Sequence, residues 1–228
     1  MMINIQKHIL FSLFLLITSG SLLLGQRKDF RSWFELEVDK GFENGAALSF
    51  ELEQRFDHNA LHYDRMLATL AGEYDLTGYF ELGGGVRALM ASDYLSGLHP
   101  RYRIHADATG SHQLSEVDLS LRIRFQYGFE EMLYFNDFSE NVFINRSRIK
   151  AAYHLFGTKV GVFASVEPWG LFGSANGRFF KRVRYAAGAS YDLSFKSELS
   201  LRYILEDEFN QVDPLQSHIL VFGYSYSL

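Results

Sequence analysis

Apolar and polar side chains alternate along almost the whole chain with a period of two. Phe34, Leu36 and Val38 alternate with Glu35, Glu37 and Asp39, and Leu48, Phe50 and Leu52 with Ser49, Glu51 and Glu53. The pattern returns at Met66–Asp75, Phe80–Ala88, Arg101–Ala108 and most plainly at Val117–Phe129, where Leu119, Leu121, Ile123, Phe125 and Tyr127 oppose Asp118, Ser120, Arg122, Arg124 and Gln126. It continues through Arg146–Leu155, Lys159–Glu167, Arg182–Leu193, Leu199–Glu208 and Leu220–Leu228. Successive side chains of a strand point to opposite faces. Each of these eleven segments is therefore a strand with one dry face and one polar face.

Short connections fall near Gly41–Gly45, Thr77-Gly78, Gln113–Glu116, Phe156–Thr158 and Ser194–Glu198. Longer ones fall near Asp57–Leu61, Ala91–His99, Glu131–Val142, Trp169–Gly177 and Gln211–Gln216. Short turns on one rim and longer loops on the other characterise outer-membrane barrels, as do strands of about ten residues. The fold class expected is all-β: a single antiparallel up-and-down transmembrane β-barrel of about 10–12 strands. Single-chain bacterial barrels have even strand numbers. Ten or twelve is thus the expectation, with either a further strand within Glu131–Val142 or Trp169–Phe180, or one of the eleven outside the barrel.

Composition sharpens this picture. The 228 residues include 13 Tyr and 21 Phe but only 3 Pro, which suits long strands because proline cannot donate to a ladder. Charged residues make up 21 %, too many and too evenly spread for a helical membrane bundle. The net charge of −5 gives no basic field for nucleic acid, and with no cysteine the chain has neither a disulfide framework nor a lipidated N-terminal Cys. Before the first strand, Lys7 precedes the apolar run Ile9–Thr18, which Ser19-Gly20 interrupts. Residues 1–25 read as a cleaved signal peptide, with cleavage before Gln26, and residues 26–228 as one barrel domain.

A lipocalin-like soluble carrier would bury the same apolar faces inward around a ligand. Three features favour the membrane: strand length, the tyrosines on the apolar faces (Tyr74, Tyr102, Tyr127, Tyr153, Tyr203), and the alternating aromatic C-terminal strand, which resembles the signal read by the barrel-assembly machinery. The expected location is the Gram-negative cell outer membrane. The expected partners are its lipids and, during biogenesis, that machinery.

Asp29-Phe-Arg-Ser-Trp33, Leu48-Ser-Phe-Glu-Leu-Glu-Gln-Arg55, Glu206-Asp-Glu-Phe-Asn210 and the closing Gly223-Tyr-Ser-Tyr-Ser-Leu228 together resemble the uncharacterised outer-membrane barrels grouped as domain of unknown function 2490, common in Bacteroidetes. The resemblance covers essentially the whole mature chain. It implies an outer-membrane barrel and transfers no catalytic residue.

Candidate chemistry is sparse. Asn145-Arg-Ser147-Arg148 with His154 on the same strand faintly resembles the serine segment of outer-membrane phospholipase A. Seven residues of separation put Ser147 and His154 on opposite faces, about 23 Å apart. His58 and His62 flank a predicted loop beside Asp57 and read as solvated loop residues rather than metal ligands. Gly83-Gly84-Gly85 reads as a bend or close approach in the wall, and Asn44-Gly45 as a turn. No catalytic residue, metal or cofactor is expected.

The polar faces are more informative. Glu35, Glu37, Glu51 and Glu53 come from the first two strands, Arg101, Arg103, Arg122, Arg124, Arg146, Arg148, Arg182 and Arg184 from the middle and later ones, and Glu206 and Glu208 from the next-to-last. All are expected to line the lumen, acids on one wall and arginines on the other, because closure makes the first and last strands neighbours. A filled interior in which Arg122, Arg124, Arg146 and Arg148 pair with Glu51, Glu53, Glu206 or Glu208 is favoured over an open water path. The function expected is a non-enzymatic structural or binding scaffold or a narrow, porin-like channel. A phospholipase-like lipid-modifying enzyme and a soluble lipocalin-like carrier rank below.

Overall fold

The computed structural model describes residues 27–93, 97–132, 139–172, 179–210 and 213–228; the signal peptide expected over residues 1–25 lies outside them. Every element in the described residues is a strand: β1 (Arg27–Gly41), β2 (Ala46–Asp57), β3 (His62–Thr77), β4 (Phe80–Asp93), β5 (Gly97–Leu114), β6 (Val117–Met132), β7 (Ser139–His154), β8 (Val160–Phe172), β9 (Phe180–Ser194), β10 (Ser197–Glu208) and β11 (Leu215–Ser227). Each pairs with its sequence neighbours, and β1 with β11, so that the sheet closes on itself.

The barrel has eleven strands, and neither ten nor twelve is the number. Ten junctions are antiparallel, while β1 and β11 run side by side in the same direction, from Arg27↔Leu215 to Asp39↔Ser227. An odd meander brings its first and last strands together pointing the same way, so a closed ring of eleven must contain one parallel ladder. The seam is long and in register, and Phe34 stacks on Phe222 across it with ring centroids 5.5 Å apart and planes 13° from parallel. No further strand is needed within the segments first read as long connections. Instead β4, β6, β7 and β8 extend into them, which places Trp169 on β8 rather than in a loop.

Alternation is obeyed around the ring. Phe34, Leu36, Phe50, Leu70, Val86, Ile104, Leu121, Ile123, Tyr185, Leu201 and Phe222 are exposed on the outer wall, whereas Leu67, Leu89, Ile219 and Val221 point inward and are fully buried. The interior is otherwise charged, the reverse of a lipocalin, whose apolar faces surround a ligand. Turn chemistry holds the hairpins: Asn44 Oδ1 accepts from the Ala46 amide at 3.1 Å, and Gly45 takes φ +82°. Within the Gly83–Gly85 run only Gly85 is sterically forced, since a Cβ there would meet the Leu70 carbonyl oxygen at 2.7 Å.

The parallel seam can be tested directly, because the chain has no native cysteine. Phe34→Cys with Phe222→Cys, which are register partners, should form an intramolecular disulfide on mild oxidation of the folded barrel. Phe34→Cys with Tyr226→Cys should not. The opposite pattern would mean that the ring closes in another register.

Candidate functional site

The inner wall carries the chain's concentrated chemistry. At its centre is Glu167 of β8. One carboxylate oxygen accepts from Arg146 Nη2 on β7 at 2.7 Å and from Trp169 Nε1 at 2.8 Å, and the other accepts from Arg122 Nη2 on β6 at 2.9 Å. Arg122 therefore reaches past β7 to a strand it does not pair with. Pro168 next to Glu167 has no N–H to donate, and the β7–β8 ladder skips from Arg146↔Trp169 to Ile149↔Val166. This break lies beside the two residues, Glu167 and Trp169, that gather the arginines.

A second centre is Glu206 of β10, which is 2 % exposed and bonded to both Arg182 and Arg184 of β9. Arg182 also reaches Glu208 at 2.9 Å. Arg124 chelates Asp107 directly opposite on β5. Arg87 bonds Thr69 at 2.7 Å and Glu51 at 3.1 Å, and Arg55 pairs with Glu53. Arg202 pairs with Glu35 across β11. The intervening position is Gly223, where a Cβ would fall 2.3 Å from Ser200 Oγ.

Two tryptophans tie these pairs together. Arg55 lies over Trp33 at 3.9 Å, and Arg146 and Arg184 over Trp169 at 4.1 and 4.4 Å. Arg184 also approaches the Trp33 ring at 5.2 Å. Trp33 is on β1 and Arg184 on β9, with β11 and β10 between them, so these contacts cross the interior rather than follow the wall. A guanidinium over an indole contributes about 2 kcal/mol when desolvated. The aromatic planes thus hold cations that the carboxylates do not fully neutralise.

The fourteen charged residues expected at the lumen share the phase of their strands with, or stand in register with, the buried Glu53, Leu89, Arg146 and Glu206, but the expected pairing is not met. Arg122, Arg124 and Arg146 bond Asp107 and Glu167, not Glu51, Glu53, Glu206 or Glu208. Arg148 has no carboxylate within ion-pair distance among the described residues, and its Nε is buried without a hydrogen-bond partner. The Nε atoms of Arg122, its register partner, and of Arg202 are likewise unpartnered. Glu37 lies on β1 opposite Glu51, and Arg101 and Arg103 lie on the inner face of β5. The residues missed were Asp107, Glu167, Arg87, Arg202 and the two tryptophans. Their signal was parity: each occupies the polar phase of its strand, and Trp33 and Trp169 are aromatics in that phase.

Ser147 and His154 are not brought together. Ser147 Oγ bonds Asn145 Oδ1 at 3.2 Å on the outer face, while His154 Nε2 lies 3.5 Å from Asp192. An open groove on the outer wall lies over Gly72, between Phe42, Leu48, Tyr74 and Leu82, and is a gap in the apolar belt.

Residues 30–213 match the family described as protein of unknown function (DUF2490), and the chain belongs to that family. No curated protein matches the chain.

If Glu167 is the hub of the interior, Glu167→Gln leaves Arg122 and Arg146 without a counter-charge and should cost about 3–5 kcal/mol in detergent unfolding. Asp213→Asn breaks the exposed pair with Arg27, whose side chains are 50 % and 71 % exposed, and should cost at most about 1 kcal/mol. Arg148→Met removes an unpaired charge and should be neutral or stabilising. Equal losses for all three would contradict the hub.

Proposed function

We propose that the protein is an outer-membrane β-barrel whose interior is sealed by its own side chains, and that it serves as a structural and binding scaffold rather than as a conducting pore or an enzyme. The observation that carries this reading is the inverted polarity of a closed sheet. Its outer wall is predominantly aliphatic and aromatic around the ring, and its inside is charged. Water would penalise that outer wall, whereas lipid hydrocarbon would accept it, with the ring leaving no backbone edge to satisfy.

Strand dimensions agree. The strands run from 12 to 18 residues, beyond the roughly 9–11 that cross a bilayer when tilted. The three two-residue turns, after β3, β5 and β9, all fall on the rim where β11 ends, as expected for the side facing the assembly machinery, and Phe222, Tyr224 and Tyr226 line the outer wall of that strand. The seal follows from the interior. Trp33, Leu67, Leu89, Ile204, Ile219 and Val221 are buried among inward-pointing arginines and carboxylates that already bond one another. A pore needs charged groups facing water; these face each other. The non-enzymatic reading is supported by the separation of Ser147 from His154, since a nucleophile and its base must lie within hydrogen-bond reach.

Expected outcomes are recovery with outer membranes, a mobility shift between boiled and unboiled samples, no stepwise conductance in planar bilayers and no phospholipid turnover. Recovery as a soluble periplasmic species would refute the membrane reading, and single-channel steps would refute the seal. Within the same framework, Leu121→Arg places a charge on the lipid face and should cost about 2–4 kcal/mol, impairing assembly. Ser120→Arg on the inner face near the rim should be tolerated far better. Equal tolerance of the two would contradict the outer wall's contact with lipid.

A further inference from the structure

Asp57, His58 and His62 lie where β2 passes into β3, on the rim that carries the longer connections. Asp57 and His62 are the last register pair of that hairpin. His58 Nδ1 is 2.8 Å and His62 Nδ1 2.9 Å from the same atom, Asp57 Oδ1. The two rings are 5.6 Å apart and nearly perpendicular at 81°, and one donor atom from each of the three side chains falls within a 4.8 Å sphere of separation. The histidines expected to be independent solvated residues instead converge on one carboxylate.

The backbone makes this convergence rigid. His58, Asn59 and Ala60 all take positive φ, at 49°, 60° and 60°. Three successive non-glycine residues in the left-handed region persist only where the surroundings over-determine them. Here the Ala60 amide donates to the Phe30 carbonyl at 3.0 Å, the Asn59 amide to Asp29 Oδ1 at 3.1 Å, and the Leu61 amide to the Asp57 carbonyl at 3.1 Å. Arg31 Nε in turn holds Asp29 at 2.8 Å. The turn is bolted to β1, and its curvature brings the imidazole of His58 back over Asp57.

We propose that Asp57, His58 and His62 form a binding site for a first-row divalent transition metal ion of the zinc or nickel type. Two imidazole nitrogens and one carboxylate oxygen are the donor set such ions take, whereas calcium and magnesium take oxygen ligands. With bonds of about 2.0–2.2 Å to one ion, neighbouring ligand atoms stand roughly 2.9–3.5 Å apart. The Asp57–His58 and Asp57–His62 spacings of 2.8 and 2.9 Å need to open by only a few tenths of an ångström, and all three side chains offer a ligand atom within 4.8 Å of one another. Without metal, His62 Nδ1 is hydrogen-bonded to Asp57 Oδ1 and His58 Nδ1 stands 2.8 Å from the same oxygen; with metal, each neutral ring carries its proton on Nε2 and offers the Nδ1 lone pair. The His58 and His62 side chains are 60 % and 30 % exposed, so an ion can enter from water and keep open coordination positions.

The test uses the folded full-length barrel in detergent, stripped with chelator and titrated with zinc alone, nickel alone and calcium alone. One equivalent of zinc or nickel should bind saturably and calcium should not. His58→Gln and His62→Gln retain an N–H that can reach Asp57, and each should weaken zinc binding by about tenfold or more, the pair abolishing it. On the wild type, zinc should protect His58 and His62, but not His112 or His154, from diethyl pyrocarbonate. Absence of saturable binding, or protection that falls on other histidines, would overturn the assignment.

Discussion

An arginine on the inner face of a closed sheet keeps its charge whatever its surroundings, and the only groups that can answer it are other interior side chains. That constraint orders the inside of this barrel. The ladders set Arg122 against Arg148, Arg124 against Arg146, and Glu35 against Glu53. Like charges in such positions destabilise a sheet if nothing intervenes. Glu167 and Asp107 relieve the arginine side, Arg202 and Arg55 relieve the glutamate side, and Trp33 and Trp169 supply π faces where carboxylates run short. Because Arg122–Glu167, Arg202–Glu35 and Arg184–Trp33 link non-adjacent strands, they tie the hairpins of the interior together.

The seam and the interior depend on each other. Closing eleven strands demands a parallel β1–β11 ladder, and that ladder puts Trp33 beside Val221 on one side and Arg55 on the other. It also places Gly223 between Glu35 and β10, the one step of the seam without a side chain in the way, so Arg202 reaches Glu35 across it. The outer wall matches: Phe34 and Phe222 stack over the same stretch. An apolar wall outside and a mutually neutralising core inside are two faces of one alternation, and neither survives a one-residue slip in register.

Most of the fold was legible because a period of two is a direct image of the pleat. The eleven strands, the face each residue takes and the division into two rims all followed from it. The count went astray only where the rule of even numbers was set above the pattern itself. Strand ends were read short at β4, β6, β7 and β8, since alternation that leaves the apolar belt no longer needs an apolar phase. The interior partners were not legible. Which arginine meets which carboxylate depends on strand tilt and stagger, quantities that emerge only when the ring closes; Arg122 finding Glu167 two strands away is the clearest instance. Asp57, His58 and His62 read as solvated loop residues because their convergence depends on a left-handed turn of ordinary residues, which has no sequence signature comparable to glycine.

The proposed seal requires the middle of the barrel to be dry and packed. Single cysteines in place of Leu67, Leu89 and Ile219, each 0–1 % exposed in the native fold, report on it without disturbing the charges. In barrels reconstituted into vesicles, a membrane-impermeant, negatively charged methanethiosulfonate should leave all three unmodified while labelling Gly78→Cys in a rim turn. Rapid modification of the cysteines at 67, 89 and 219 in the folded barrel would show a water-filled lumen and contradict the seal.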